Sequence, residues 1–419
     1  MTGKAQEGDA VRPGTVRGRV AGSALVLALL AAGAAGCGSF GGHRPAAAGP
    51  AADSYAKAGV ADHTVEVSPS ACGRGWTDPR PGLQLFTAHN SDANPEDLYL
   101  ERASDAAVLG ELEGLGPGAS AVLSVRLPAG SYRFRCLPAD ADAVLGPVVK
   151  VPGTSGDGTA GSAPAVAPVT QQDLIAPTLA YQHWVASRLP LLLRQVTALQ
   201  SAIDSGDLAG ARAAWLPAHL GYERLGAAYG AFGALDSAID GTAAGLPKGT
   251  SDSGFTGFHR IEYGLWHGQP AAGLRGAAAR LVADVRQLQR HWATTRMDPQ
   301  VLGVRAHEIT ENTIRFELTG RTDYGSHSNL ATARANLDGT AEALAVLKPV
   351  LSTRMAAELP GIEAALARAR AALPSGNTAA STALSDLTQR QRESLNAAFG
   401  DLVERLAAVA AVCDIRRTT

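Results

Sequence analysis

The residues best placed to do chemistry lie in Phe255-Thr256-Gly257-Phe258-His259-Arg260-Ile261-Glu262-Tyr263, where an imidazole and a carboxylate stand three residues apart in an apolar run. Three residues advance a helix by ~4.5 Å and leave the two side chains ~60° apart in azimuth, so one cation could touch both. The plain alternative is a core histidine next to a surface glutamate that pairs with Arg260. More carboxylates gather upstream: Glu223 in Tyr222-Glu223-Arg224, then Asp236 and Asp240 in Phe232-Gly233-Ala234-Leu235-Asp236-Ser237-Ala238-Ile239-Asp240. On a helix Asp236 and Asp240 stack and repel by about 0.2–0.5 kcal/mol, a sign that a cation between segments would reverse. Asp240, followed by Gly241 and Thr242, serves as well for a cap, whereas Asp236 reads as a ligand. The set His259, Glu262, Glu223 and Asp236 is mostly oxygen with one nitrogen. It suits ferric or ferrous iron, with zinc, manganese and copper as competitors.

Two weaker groups follow. His307, Glu308 and Glu311 share helix faces at spacings of three and four, where ordinary surface charge competes with ligation by Glu308 or Glu311. Tyr324, beside Asp323 in a glycine-rich loop, offers a phenol as iron ligand or as a donor behind the ligands. His267 lies ~12 Å along the axis from His259, too far to share the ion.

A helical region must carry these residues, and beyond residue 170 the apolar period is 3.6. Leu384, Leu387, Leu395, Ala398, Leu402, Leu406, Val409 and Cys413 follow one stripe. The pattern predicts about eight helices, over 171–204, 207–231, 257–267, 272–294, 299–319, 328–347, 352–373 and 380–413, packed as a bundle with short connections. Between residues 64 and 151 the period is instead two, in short runs separated by proline and glycine turns, which predicts a small β-sandwich. The chain is therefore multidomain: an all-β sandwich over 62–152, a Gly/Ser/Pro linker over 153–169, and an all-α bundle over 170–415.

Within the sandwich, Leu127 to Cys136 resembles the penultimate strand of cupredoxins, so the domain is cupredoxin-like. The copper ligands of that fold do not follow, because the domain has no Met and only His63 and His89. Glu96 falls about where cupredoxins place their first histidine. A hard oxygen site of Glu96 and Asp142 stands against a purely structural sandwich closed by Cys72 and Cys136.

The N-terminus carries Lys4, Arg12, Arg17 and Arg19 before an apolar run that ends in Ala34-Ala35-Gly36-Cys37. This is the layout of a secretory signal over 1–37 with lipidation at Cys37, followed by a Gly/Ala/Pro tether over 38–61. The run is nearer 16 residues than the ~20 of a membrane-spanning helix. Export implies an oxidising compartment, in which Cys72 and Cys136 can pair. Cys413, on an apolar helix face, reads as a buried thiol. A net charge of −2, with 18% charged residues, gives no electrostatic case for nucleic acid.

Taken in order, Y-E-R, F-G-x-L-D-x-x-I-D, F-T-G-F-H-R-I-E, His307-Glu308-Ile309 through Leu318-Thr319-Gly320, and Asp323-Tyr324-Gly325-Ser326 resemble the EfeO-type iron-uptake lipoproteins with an imelysin, peptidase-like domain. The resemblance covers roughly residues 170–415. It implies an imelysin-like helical bundle with a metal site at the H-x-x-E. It also implies a role in iron uptake from the outer face of the cell membrane, and two partners, an iron permease and a haem peroxidase. This chain departs from the pattern at Gly226, where relatives carry Glu, and at Gly264, where they carry a basic or polar residue. Two other functions compete. A metallopeptidase of the inverted zincin kind would need H-x-x-E-H, and Tyr263 stands where the second His belongs. A structural lipoprotein would bind no metal.

Overall fold

The structure is a computed structural model and describes residues 61–154, 165–374 and 382–418. The expected signal segment with Cys37, the tether before Ala61 and most of the expected linker lie outside the described residues.

Two sheets form the N-terminal part. One has the order β1-β2-β5 (Ala61–Val67, Gly82–Asn90, Ser120–Leu127), with β1 and β2 parallel. The other places β4 (Val108–Leu115), β3 (Glu96–Arg102), β6 (Gly130–Pro138) and β7 (Val144–Leu145) side by side, with β8 (Val149–Val151) also on β6. Inward and outward residues alternate cleanly along β2, the period of two that marks a half-buried strand. Phe86 of one sheet meets Phe134 of the other edge-on at 5.1 Å, with Trp76 packed against both. Cys72 and Cys136 are joined by a disulfide across a Cα separation of 5.8 Å. Strand β4 was not legible in the residue pattern: Gly110 and Gly114 interrupt it, and Glu111 and Glu113 mask its alternation.

Among the described residues ten α-helices follow: α1 (Gln171–Ser205), α2 (Leu208–Glu223), α3 (Tyr229–Phe232), α4 (Ala234–Asp240), α5 (Gly257–Trp266), α6 (Ala271–Trp292), α7 (Val301–Asn312), α8 (Asn329–Arg354), α9 (Leu359–Ala372) and α10 (Gln389–Val412). Helix α1 starts at a capping box made by Thr170 and Asp173 and stops at Gly206 in the left-handed conformation, the usual chemistry for both ends. A single core of aliphatic and aromatic side chains runs through these helices, including Trp215, Tyr222, Phe258, Leu337, Phe399 and Leu406.

Five predicted helices come out differently, two of them only by starting later, at Leu359 rather than 352 and at Gln389 rather than 380. The one expected over 207–231 ends at Glu223, and the chain then turns through a short 3₁₀ segment, Gly226–Ala228, into α3 and α4. The Arg224 carbonyl there lies so close to Gly339 of α8 that a Cβ on that glycine would sit 2.6 Å from it. The helix expected over 299–319 closes with a π-turn, Thr313–Glu317. Helix α8 continues through Pro349 to Arg354, past the expected end at 347, because tertiary packing outweighs the lost hydrogen bond.

The C-terminal tail ties the two parts together. Arg416, buried, bonds both oxygens of Glu111 at 2.8 and 2.7 Å, and Arg135 donates to the Thr418 carbonyl at 2.7 Å.

Candidate metal centre

Helices α2, α4, α5, α7 and α8 and the π-turn Thr313–Glu317 converge on a cavity of about 270 Å³, lined by Glu223, Asp236, Asp240, His259, Arg305, Glu308 and Glu317 among others. Helix α2 brings His219 and Glu223, one turn apart on one face. Helix α4 ends at Asp240, and α5 starts two residues before His259. The approach of α4 to α5 depends on Gly257: its φ is +76°, and a Cβ there would lie 2.0 Å from the Ile239 carbonyl oxygen. No other residue type fits that contact without displacing the chain. Trp215 Nε1 donates to the Phe258 carbonyl at 2.9 Å and Thr256 Oγ1 to the Ala238 carbonyl at 3.0 Å, which pins the three helices together.

The innermost atoms face one another. Nε2 of His219 lies 3.1 Å from Glu223 Oε1 and 3.2 Å from Asp240 Oδ1, and Nε2 of His259 lies 3.8 Å from the same Oδ1. One donor atom from each of His219, Asp240 and His259 falls within 4.8 Å of the other two. His219 is 2% exposed. Neither of its ring nitrogens, nor Asp240 Oδ1, makes a hydrogen bond of acceptable geometry despite these short distances. Buried polar atoms are seldom left so. Atoms that meet at poor hydrogen-bonding angles around a common point fit a shared ion better than one another.

Glu262, 1% exposed, meets His259 from the other side. Its Oε2 accepts from Nδ1 at 3.1 Å. Its Oε1 accepts from Tyr324 N and Ser326 N, each at 3.1 Å, and from Ser326 Oγ at 2.6 Å. The carboxylate thus holds the proton on Nδ1 and turns the Nε2 lone pair toward Asp240, an arrangement common behind metal-bound histidines. It does not itself reach the point where Nε2 aims. Asp236 likewise stands one step back, accepting from the Tyr222 hydroxyl at 2.6 Å, and burial pushes it up to about 6. Asp240 is the last residue of its helix, not a cap for the next turn, and it faces both imidazoles.

The weaker candidates separate. Glu308 lies on the cavity wall but is paired with Arg305 at 2.6 Å. The Glu311 side chain is 55% exposed, 3.8 Å from His307. Tyr324 turns its phenol oxygen to the backbone, accepting from Ala243 N at 2.7 Å. It thereby ties the loop that clamps Glu262 to the chain just past Asp240. In the sandwich, Glu96 is 1% exposed with neither oxygen hydrogen-bonded, and burial and the Asp92 charge push it up to about 7. Asp142 stands in solvent, so the two have opposite environments.

A histidine and a carboxylate close to Glu223 and Asp240 could not both be found from the sequence. His219 was detectable, since it precedes Glu223 by four residues and so must share its helix face. Glu317 was not, because the π-turn that aims it inward has no local signature. Its oxygens accept from Thr322 Oγ1 at 2.5 Å and Asn329 Nδ2 at 2.8 Å. Asn336, with its amide nitrogen turned toward acceptors, donates to Glu223 Oε2 at 2.8 Å.

Charge in the cluster is strongly coupled. Burial works against the His219 imidazolium, but the nearby Asp240 and Glu223 carboxylates outweigh it and hold its pKa well above the usual range. For His259 burial is likewise outweighed, by Asp240 and the Glu262 hydrogen bond, and its pKa is raised. Burial alone would raise Asp240; the two imidazoles hold it low. Glu223 is raised by burial and by Asp240. Such a site carries protons when it carries no cation.

The model of peptidase M75, imelysin, matches residues 177–409. The chain belongs to the imelysin family. The matched span contains all the residues that meet at the cavity and none of the sandwich. Curated imelysin relatives include the iron uptake system component EfeO of Yersinia pseudotuberculosis, 27% identical over 64% of this chain and 69% of that protein. The protein of the same name from Escherichia coli K12 is 28% identical over 61% of this chain and 65% of its own length. Among the described residues no helix is long and apolar enough to cross a membrane.

Proposed function

We propose that this imelysin-family chain is the extracytoplasmic iron-binding component of an iron uptake system. It is anchored to the outer face of the membrane through Cys37 and hands captured iron to a permease, with a haem peroxidase as a further member of the system. His219, His259, Asp240 and Glu223 are the ligands, Glu262 orients His259, and Asp236 and Tyr324 hold the surrounding shell. The single observation that carries the reading is the buried meeting of His219, His259 and Asp240, with ring nitrogens and a carboxylate oxygen left unpartnered. Two nitrogens and two carboxylates suit iron, with zinc and copper as competitors. The names of the curated relatives support iron as the cargo. A tether over 38–61 would keep the bundle at high effective concentration beside a membrane partner.

Transport fits the cavity better than proteolysis. A zinc peptidase needs a carboxylate free to act as general base on bound water. Glu262, the carboxylate of the H-x-x-E, has both oxygens engaged. The deciding experiment is titration of chelator-stripped protein with iron, zinc and copper. One tight equivalent per chain that disappears in His219→Ala and His259→Ala is expected, and His307→Ala should bind like wild type. Equal binding by all four proteins would remove the reading. Peptide hydrolysis by the zinc form, abolished by Glu262→Gln, would replace it with the peptidase one.

A further inference from the structure

We infer that Glu317 selects the charge of the cargo, favouring a trivalent cation over a divalent one. The inference rests on the capture reading above. The inner donors comprise two imidazoles, neutral when they ligate, and the carboxylates of Asp240 and Glu223. Two negative charges balance a divalent ion. A trivalent ion brings one more positive charge, which the carboxylates around these ligands must offset.

Besides Asp236 and Glu262, which bond Tyr222 and His259, Glu317 supplies such a charge. It is 6% exposed, lines the same cavity as Glu223, Asp240 and His259, and its field and that of Glu223 act on each other. Among the described residues it forms no ion pair. Its two hydrogen bonds come from the neutral groups of Thr322 and Asn329, which fix its direction without cancelling its charge. Arg305, the guanidinium on the cavity wall, is engaged by Glu308. A buried carboxylate with no cationic partner is unfavourable by itself and becomes favourable once a cation enters. The π-turn Thr313–Glu317 that points it inward closes a segment rich in acids, of which Glu308 and Glu311 are turned to Arg305 and to solvent. Irregular turns of this kind recur where a side chain must be aimed at a site.

The test uses the full chain with Ga³⁺, a redox-inert trivalent ion, and Zn²⁺, each titrated against a competing chelator. For an assumed separation of ~8 Å and an effective dielectric of about 20, one unit of charge changes an association constant by roughly 30-fold. Glu317→Gln should therefore lower the Ga³⁺-to-Zn²⁺ affinity ratio by about 10- to 30-fold. Glu317→Asp, which keeps the charge, should hold most of the ratio, and the exposed Glu311→Gln should leave it unchanged. An unaltered ratio in Glu317→Gln, or equal loss for both ions with Glu317→Asp no better, would mean that Glu317 only supports the fold. A wild-type chain that binds neither ion refutes the capture reading itself.

Discussion

Replacing Gly257 with alanine should damage stability and metal binding together, because one missing Cβ sets the distance between two helices that carry proposed ligands. The residue has φ +76°, a conformation that costs an L-residue about 1–2 kcal/mol. The new Cβ would also lie 2.0 Å from the Ile239 carbonyl oxygen. To reach an ordinary contact, α4 and α5 must separate by ~1 Å, and overpacking of that size costs about 1–3 kcal/mol. The sum is about 2–5 kcal/mol. Asp240 directly follows Ile239, so the separation moves its carboxylate away from His259, already 3.8 Å distant. Metal–ligand bonds tolerate only about 0.2 Å of error, and loss of one ligand should weaken binding by at least tenfold. The assay pairs a urea titration with a chelator competition. Gly206→Ala is the control: that residue has φ +81° but open space around it, so only the backbone cost of about 1–2 kcal/mol should appear, with binding intact. If Gly257→Ala binds metal like wild type, the close approach of α4 and α5 does not position the ligands.

Protonation provides a second test. The raised His219 and His259 pKa values mean that a cation displaces protons from the apo site, so affinity should fall by about tenfold per displaced proton for each pH unit below those values. The apo fold responds with the opposite sign. Because the folded imidazoles titrate above their unfolded value, their stabilisation is complete below about pH 6.5 and is lost as pH rises through the folded values. Proton release measured by calorimetry in two buffers, together with apo melting at pH 6 and pH 9, checks both; melting that rises with pH in this window would contradict the sign. Glu262→Gln removes the charged acceptor on Nδ1 and should weaken binding by about 10- to 100-fold with little change in the fold; unchanged affinity would show that Glu262 does not orient the ligand. Breaking the Cys72–Cys136 bridge, which spans 64 residues, should cost the sandwich about 2–5 kcal/mol while the bundle keeps its metal; differential scanning calorimetry with a metal titration would reveal loss at both or at neither.

Much of the architecture was readable from local pattern. The switch from period two to period 3.6 separated the strands from the helices, and the ordered motifs around Tyr222, Asp236, His259 and Tyr324 pointed to the part of the chain that lines the cavity. Failures fell where long-range packing overruled the local pattern. Helix α2 stops at Glu223, where the Arg224 carbonyl comes up against Gly339 of α8, and α8 runs through the exposed Pro349 while Leu347, Val350 and Leu351 on its other face stay in the core. At the site, the spacing of His259 and Glu262 suggested one cation touching both, whereas the two side chains hydrogen-bond each other at Nδ1.

Composition and spacing alone thus determined the class of elements, their order and the helices that carry Glu223 and His259, though not the short helix that carries Asp236 and Asp240, since those properties depend on neighbours within a few residues. Which atoms meet was decided by the tertiary structure. The meeting of His219 with Asp240, the hydrogen bond of Glu262 to His259 and the inward aim of Glu317 all depend on how close backbones approach. That approach is governed by contacts such as Gly257 against Ile239, between residues on different elements, which no local period can encode.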